Sequence, residues 1–200
     1  MSQSVLPPDF APRLGCYGID DRTRVMLREL WELLEPQLDS IMEELLHRAA
    51  TLPHVAAIYA EHGERILAIE KDHARLLMTG DFDAAYHDSC CRTAVGLAEA
   101  GLEADGRMML AALVTARACA LLAAKHRFAG AALGERSSAL MRAMMCDIAA
   151  VSALALQAKQ QETEARQREV DAAIQALADT SALMRVPPEG KGYRIAKKGI

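Results

Sequence analysis

Aromatic side chains are scarce in this chain: one Trp, four Tyr and three Phe among 200 residues. Sheets lean on aromatic and β-branched residues, so this scarcity, beside abundant Ala, Leu and Met, points to close-packed helices. A strong charge of either sign is missing as well. The 23 basic and 27 acidic side chains leave a net charge of −4, which gives no electrostatic case for a nucleic acid or an anionic membrane as partner. No stretch approaches the roughly 20 consecutive apolar residues of a membrane span. The opening MSQSVLPPDF lacks the basic-then-apolar order of a signal peptide. The expectation is a cytoplasmic protein without a membrane span. Catalytic signatures are absent too: there is no nucleophile motif, no Gly-rich phosphate loop and no HExxH pattern, so an enzyme is not expected.

What is present is a chain 52% apolar and long enough for one full core. Asp20 and Asp21, after Gly18, suit the start of a helix. Leu27, Leu30, Trp31, Leu34, Leu38, Ile41 and Leu45 recur at steps of three and four, on one helix or on two meeting near Pro36. Pro53 opens a short helix through Tyr59. A separate helix carries Ile66, Ile69, His73, Leu76 and Leu77 to a break at Thr79–Gly80. Asp81 is placed to cap the next helix, which holds Cys90 and Cys91. Gly101 and Gly106 punctuate the chain before a helix over about 108–126, and a turn over 128–135 reverses its direction. A very long helix follows from Ser137 to about Leu183, polar from Gln157 to Glu169, with apolar residues resuming at Val170, Ile174 and Leu177. The organisation predicted is an all-α domain over 1–157, a helical extension over 158–183 and a flexible tail over 184–200.

Three segments go further than periodicity. LGCYGIDDRTRVMLRELWELLEPQLDSIMEELLHRAATLPHVAAIYAEHG, DHARLLMTGDFDAAY and MRAMMCDIAAVSALAL, in that order and spacing, resemble the globin domain of globin-coupled sensors and protoglobins. The resemblance covers roughly Phe10 to Leu156. It implies a globin-like helical fold with a long C-terminal helix, a sensory role, and a homodimer formed through the last two helices. It also implies a C-terminal output module or partner signalling protein of the chemotaxis-receptor or cyclic-dinucleotide-enzyme type. A heme that binds oxygen is the family's usual cofactor.

The departures from that pattern concern the heme. The family's proximal histidine falls at Leu97, which has no lone pair for iron. The distal tyrosine of many members falls at Leu46, and Ala74 follows His73 where a bulky aromatic is usual. No histidine lies between His87 and His126. A conventional His-ligated heme is therefore not expected, and Leu46, His73, Leu77 and Leu97 are the expected lining of a pocket without it. The stimulus would be a gas, a redox state or a small ligand.

Five cysteines remain as candidate ligands: Cys16, Cys90, Cys91, Cys119 and Cys146. Cys119 and Cys146 flank the predicted turn, which would set them level in a helical hairpin, and Cys90 and Cys91 fall beside the proximal wall. Thiolates hold iron–sulfur clusters and zinc, so a cluster or metal held by three or four of these five is one reading, and a thiol redox switch is a second. The absence of any CxxC, the odd count and the small, buried habit of free Cys support a third, inert packing. Alternatives of other classes are a non-sensing helical dimerisation adaptor with a closed apolar core, an unconventional heme-based oxygen sensor and a ferritin-like oxidase. The last would use Glu44-x-x-His47 and Glu70-x-x-His73.

Overall fold

A computed structural model describes residue 7 and residues 10–102, 104–125 and 130–184. Among them are seven α-helices, one 3₁₀ turn and no strand: α1 (Phe10–Cys16), α2 (Asp21–Leu34), the turn Glu35–Gln37, α3 (Leu38–Ala49), α4 (Pro53–Thr79), α5 (Ala84–Glu99), α6 (Ala104–Lys125) and α7 (Gly130–Met184). The chain divides into two compact units, residues 1–158 and 159–200.

Asp20 caps α2 by accepting the Thr23 amide at 2.7 Å. Pro36 cannot supply the amide a continuing helix needs, and α2 passes into α3 through the 3₁₀ turn. Two boundaries differ from the sequence expectation. Pro53 opens one unbroken helix of 27 residues rather than a short segment followed by a second, because proline at the first turn costs no helical hydrogen bond and nothing after it breaks the ladder. Asp83, not Asp81, caps α5, its carboxylate accepting the Tyr86 amide at 3.0 Å. α4 ends on Gly80 at φ +71, and Phe82 follows at φ +47, an uncommon conformation for a bulky residue. Arg24 steadies this corner: its guanidinium lies 5.4 Å from the Phe82 ring centre and donates to the Gly80 carbonyl at 3.2 Å.

Gly106 lies within the first turn of α6, and α7 already begins at Gly130, so the connection between them is shorter than the predicted turn. Residues 126–129 and the tail from 185 lie outside the described residues. Cys119 Sγ contacts Ser137 Oγ at 3.5 Å. The hairpin register thus sets Ser137, not Cys146, opposite Cys119.

The core of the first unit gathers Leu27, Leu30 and Leu34 of α2, Ile41 and Leu45 of α3, Ile66 and Leu77 of α4, Leu97 of α5, Leu122 of α6 and Leu140 of α7. α4 packs on α2, α3 and α5, and α6 on α2 and α3. By length and composition Arg107–Lys125 and part of Gly130–Ser181 could cross a membrane, which corrects the expectation that no such run exists. In this fold both helices supply core residues, Val114 and Ala118 from one and Ala143 and Val151 from the other. In the second unit α7 exposes its side chains to solvent, with Gln167–Asp171 and Gln175–Asp179 pairs at 2.8 Å along the helix.

Candidate functional site

Seven polar side chains are buried in the first unit: Thr23, Glu70, His73, Ser89, Thr93, Arg107 and Asp147. Such groups cost several kcal/mol unless paired, and four helices bring five of them together. On α4, Glu70 and His73 follow Ile66 and precede Leu77 at steps of three and four, so the apolar face of that helix carries them inward. α5 contributes Tyr86, Ser89 and Cys90 from its buried face, α6 contributes Arg107, and α7 contributes Asp147.

Asp147 is the hub. His73 Nε2 donates to its Oδ1 at 2.7 Å, and the Tyr86 hydroxyl donates to the same oxygen at 2.9 Å. Arg107 donates Nη2 to the other oxygen, Oδ2, and donates Nη1 to both oxygens of Glu70 at 3.1 and 3.2 Å. Because a carboxylate only accepts, Nε2 of His73 carries the proton. Its Nδ1 lies 2.9 Å from Ser89 Oγ, and a hydroxyl can donate to a neutral imidazole or accept from a charged one. The His73 and Tyr86 rings stack with centres 5.8 Å apart.

The titrations follow from this packing. Burial alone would raise the Asp147 carboxyl, but His73 and Arg107 outweigh it and hold the group well below the usual carboxylate range. Burial wins at Glu70, whose carboxyl is raised despite Arg107. Burial, reinforced by Asp147, pushes the Cys90 thiol up to about 12 and the Cys146 thiol up to about 11. Arg107 Nε and Thr93 Oγ1 are buried without a hydrogen-bond partner. Beside the network lies a cavity of about 30 Å³, bordered by Glu70, His73, Arg107 and Asp147 and by apolar residues including Leu77, Val114 and Met144. That is room for about one water.

Of the expected pocket residues, His73 and Leu77 border this cavity. Leu97 is buried in the core and Leu46 packs partly buried against it, but neither is among the cavity's lining residues. The cysteines separate: Cys16 is exposed, Cys91 and Cys119 are half-buried, and Cys90 and Cys146 are buried. Among the described residues one group of three potential metal ligands exists, His73, Cys90 and Asp147, whose ligand atoms lie within 4.8 Å of one another. It contains a single cysteine, so the described residues hold no set of three thiolates for an iron–sulfur cluster. Of the ferritin-like pairs, only Glu70 and His73 face the interior. His47 is exposed and Glu44 pairs with Arg48 at 2.7 Å and with Arg117 at 2.9 Å.

Arg107 and Asp147 were not singled out in the sequence, although one signal existed. Asp147 is the lone charge between Arg142 and Lys159 in an otherwise apolar run. Ser89, His73 and Asp147 also have the connectivity of a hydrolytic triad. Ser89, however, sits inside a helix whose amides are spent on helical hydrogen bonds, and its side chain is buried, so no strained nucleophile turn presents it to a substrate.

Comparison with known proteins matches the chain to the Protoglobin family over residues 7–178. No curated protein matches it. The domains of this family are sensor globins that normally bind heme, and this chain's residues do not fit that group. Leu97, where the sequence resemblance places the proximal ligand, is buried in the core. The cavity beside His73 holds about 30 Å³, whereas a cofactor-sized site needs at least about 300 Å³. The chain belongs to the protoglobin family of globin-like sensor domains.

Proposed function

We propose that the chain is the cytoplasmic input domain of a bacterial signal transducer, of the chemotaxis-receptor or cyclic-dinucleotide-enzyme type, and that it senses without a His-ligated heme. The observation that carries this reading is the buried network in which Asp147 ties α7 to α4, α5 and α6. α7 runs from the core of the first unit to Met184, so a change in how Asp147 is held acts on the helix that leads to any output module. Closely packed cores respond to such a change by moving between discrete arrangements. A gas, redox change or small ligand signals only by stabilising one arrangement over another, and a buried network of paired charges responds to any added proton or cation.

Homodimerisation through α6 and α7 is part of the reading. Met108 on α6 and Met141, Met145 and Leu156 on α7 are exposed apolar side chains. A set of this kind on a soluble surface marks an interface.

Two measurements test the proposal. Protein purified without oxygen should show no Soret band, and a sharp one would overturn the heme-free reading. Asp147→Asn should lower unfolding stability by about 3–5 kcal/mol, the usual effect of breaking a buried ion pair, and should speed amide exchange in the first turns of α7 around residue 147. Unchanged exchange there would remove the network as the element that seats α7. The closed core also suits a dimerisation adaptor that binds nothing. A protein whose α7 exchange responds to no oxidant, reductant, metal or gas would establish that reading instead.

A further inference from the structure

We propose that His73, Cys90 and Asp147 form a binding site for one divalent transition-metal ion of the zinc, cobalt(II) or ferrous class. The donor set is one imidazole nitrogen, one thiolate sulfur and one carboxylate oxygen, a mixture these borderline ions accept and the harder magnesium and calcium do not. The three atoms already lie within 4.8 Å of one another, so side-chain adjustments of a few tenths of an ångström to an ångström bring them to ligand distances of about 2.0–2.3 Å. The residues come from α4, α5 and α7, which makes the site a cross-link between three helices.

Protons and charge balance on binding. With His73 neutral, its proton sits on Nε2 and is donated to Asp147. When the metal takes Nε2, that proton moves to Nδ1, where Ser89 Oγ at 2.9 Å accepts it. A metal-bound histidine is normally oriented by an acceptor in this way. Cys90 loses its thiol proton to solvent. Starting from the neutral imidazole and the Cys90 thiol, one divalent ion therefore enters for one proton released. Nothing is oxidised or reduced. Arg107 stays on Asp147 Oδ2 and Glu70, and Oδ1, released by His73 and still accepting from the Tyr86 hydroxyl, offers its other lone pair to the metal. Burial keeps the Cys90 thiol protonated while the site is metal-free, so affinity should rise steeply with pH. Three protein ligands leave a tetrahedral ion one further position, and the cavity bordering His73 and Asp147 has the size of one water or diatomic molecule.

The site does not depend on the sensory reading: metal that binds without altering exchange in α7 would make it structural and leave signalling to another stimulus. The probe is cobalt(II), added to the metal-stripped full chain during refolding. One cobalt per chain is expected, with a thiolate-to-cobalt charge-transfer band and a raised melting temperature. Cys90→Ser should abolish the band, whereas Cys91→Ser and Cys146→Ser should keep it. No band at stoichiometric cobalt, or a band that survives Cys90→Ser, overturns the proposal. Should Cys90→Ser not fold, X-ray absorption at the zinc edge of the zinc-loaded parent chain decides, since a shell of one sulfur with nitrogen and oxygen ligands supports the site and a shell without sulfur refutes it.

Discussion

Leu97 shows how much a single side chain decides. The sequence resemblance places the family's iron ligand at its position, and it is 4% exposed within the core. If only the ligand had been lost, Leu97→His would restore heme binding. The surroundings are closed as well: the cavity beside His73 takes about one water. Leu97→His should therefore give no Soret band after reconstitution with hemin, and should cost about 2–4 kcal/mol for burying an unpaired imidazole in place of leucine. A Soret band in that variant would show that the core opens to admit a porphyrin. At this scale the sequence is only half-legible. His73 could be picked out because a histidine on an apolar stripe is conspicuous. Arg107 could not, because an arginine near a helix start reads as solvent-exposed until the fold supplies two carboxylates for it.

At the scale of elements, two glycines with opposite expected responses test how the frame around the site is held. Gly80 ends α4 in the left-handed region, and a Cβ there would lie 3.1 Å from the Arg24 carbonyl oxygen and 3.2 Å from its Cα. Neither the φ of +71 nor the backbone of α2 can yield easily, so Gly80→Ala should destabilise by about 1–3 kcal/mol. Gly96 lies within α5, where a Cβ would meet only the Cδ1 end of Ile69, at 2.6 Å. That methyl can swing away, and the helix gains about 1 kcal/mol in propensity, so Gly96→Ala should be near neutral. Gly96→Leu should be strongly destabilising, since a larger side chain has to push α4 off α5. Urea melts of the three variants check the order. A damaging Gly96→Ala would mean that the α4–α5 contact is more rigid than its flexible partner atom implies.

Helix positions were legible because apolar spacing and capping residues are local signals, and Asp20 behaves as its sequence context predicts. The misjudged features were those set by distant partners. The choice of Asp83 over Asp81 depends on the Gly80–Phe82 corner, which α2 holds through Arg24. The hairpin register, with Ser137 opposite Cys119, depends on where α7 begins, and that start lies seven residues before the one expected from Ser137. The cysteine grouping rested on the same assumption about which residues face one another, and the structure buries Cys90 and Cys146 while leaving Cys16 exposed.

For the whole molecule the open question is what covers the apolar side chains of α7. In the first unit Met141, Met145 and Leu156 are 55%, 47% and 59% exposed. In the second unit Val170, Ile174 and Leu177 are 51%, 59% and 69% exposed. At 100° per residue each set falls within about 60° of helix surface, the width of a two-helix seam. Scattered exposed apolar residues need no partner, but stripes at steps of three, four and their multiples do. A second copy of the chain supplies the same stripe by symmetry. The chain should therefore sediment as a dimer at micromolar concentration. Met141→Lys with Met145→Lys should shift it to monomer while changing unfolding stability by no more than about 0.5 kcal/mol per site, as expected for surface positions. Ile174→Lys with Leu177→Lys separates the two units' shares. Dissociation by this second pair alone would make the polar extension the dimerisation element and free the Met141 face for another protein. Dissociation by the first pair alone would place the dimer beside Asp147, where a change in the buried network reaches both subunits at once.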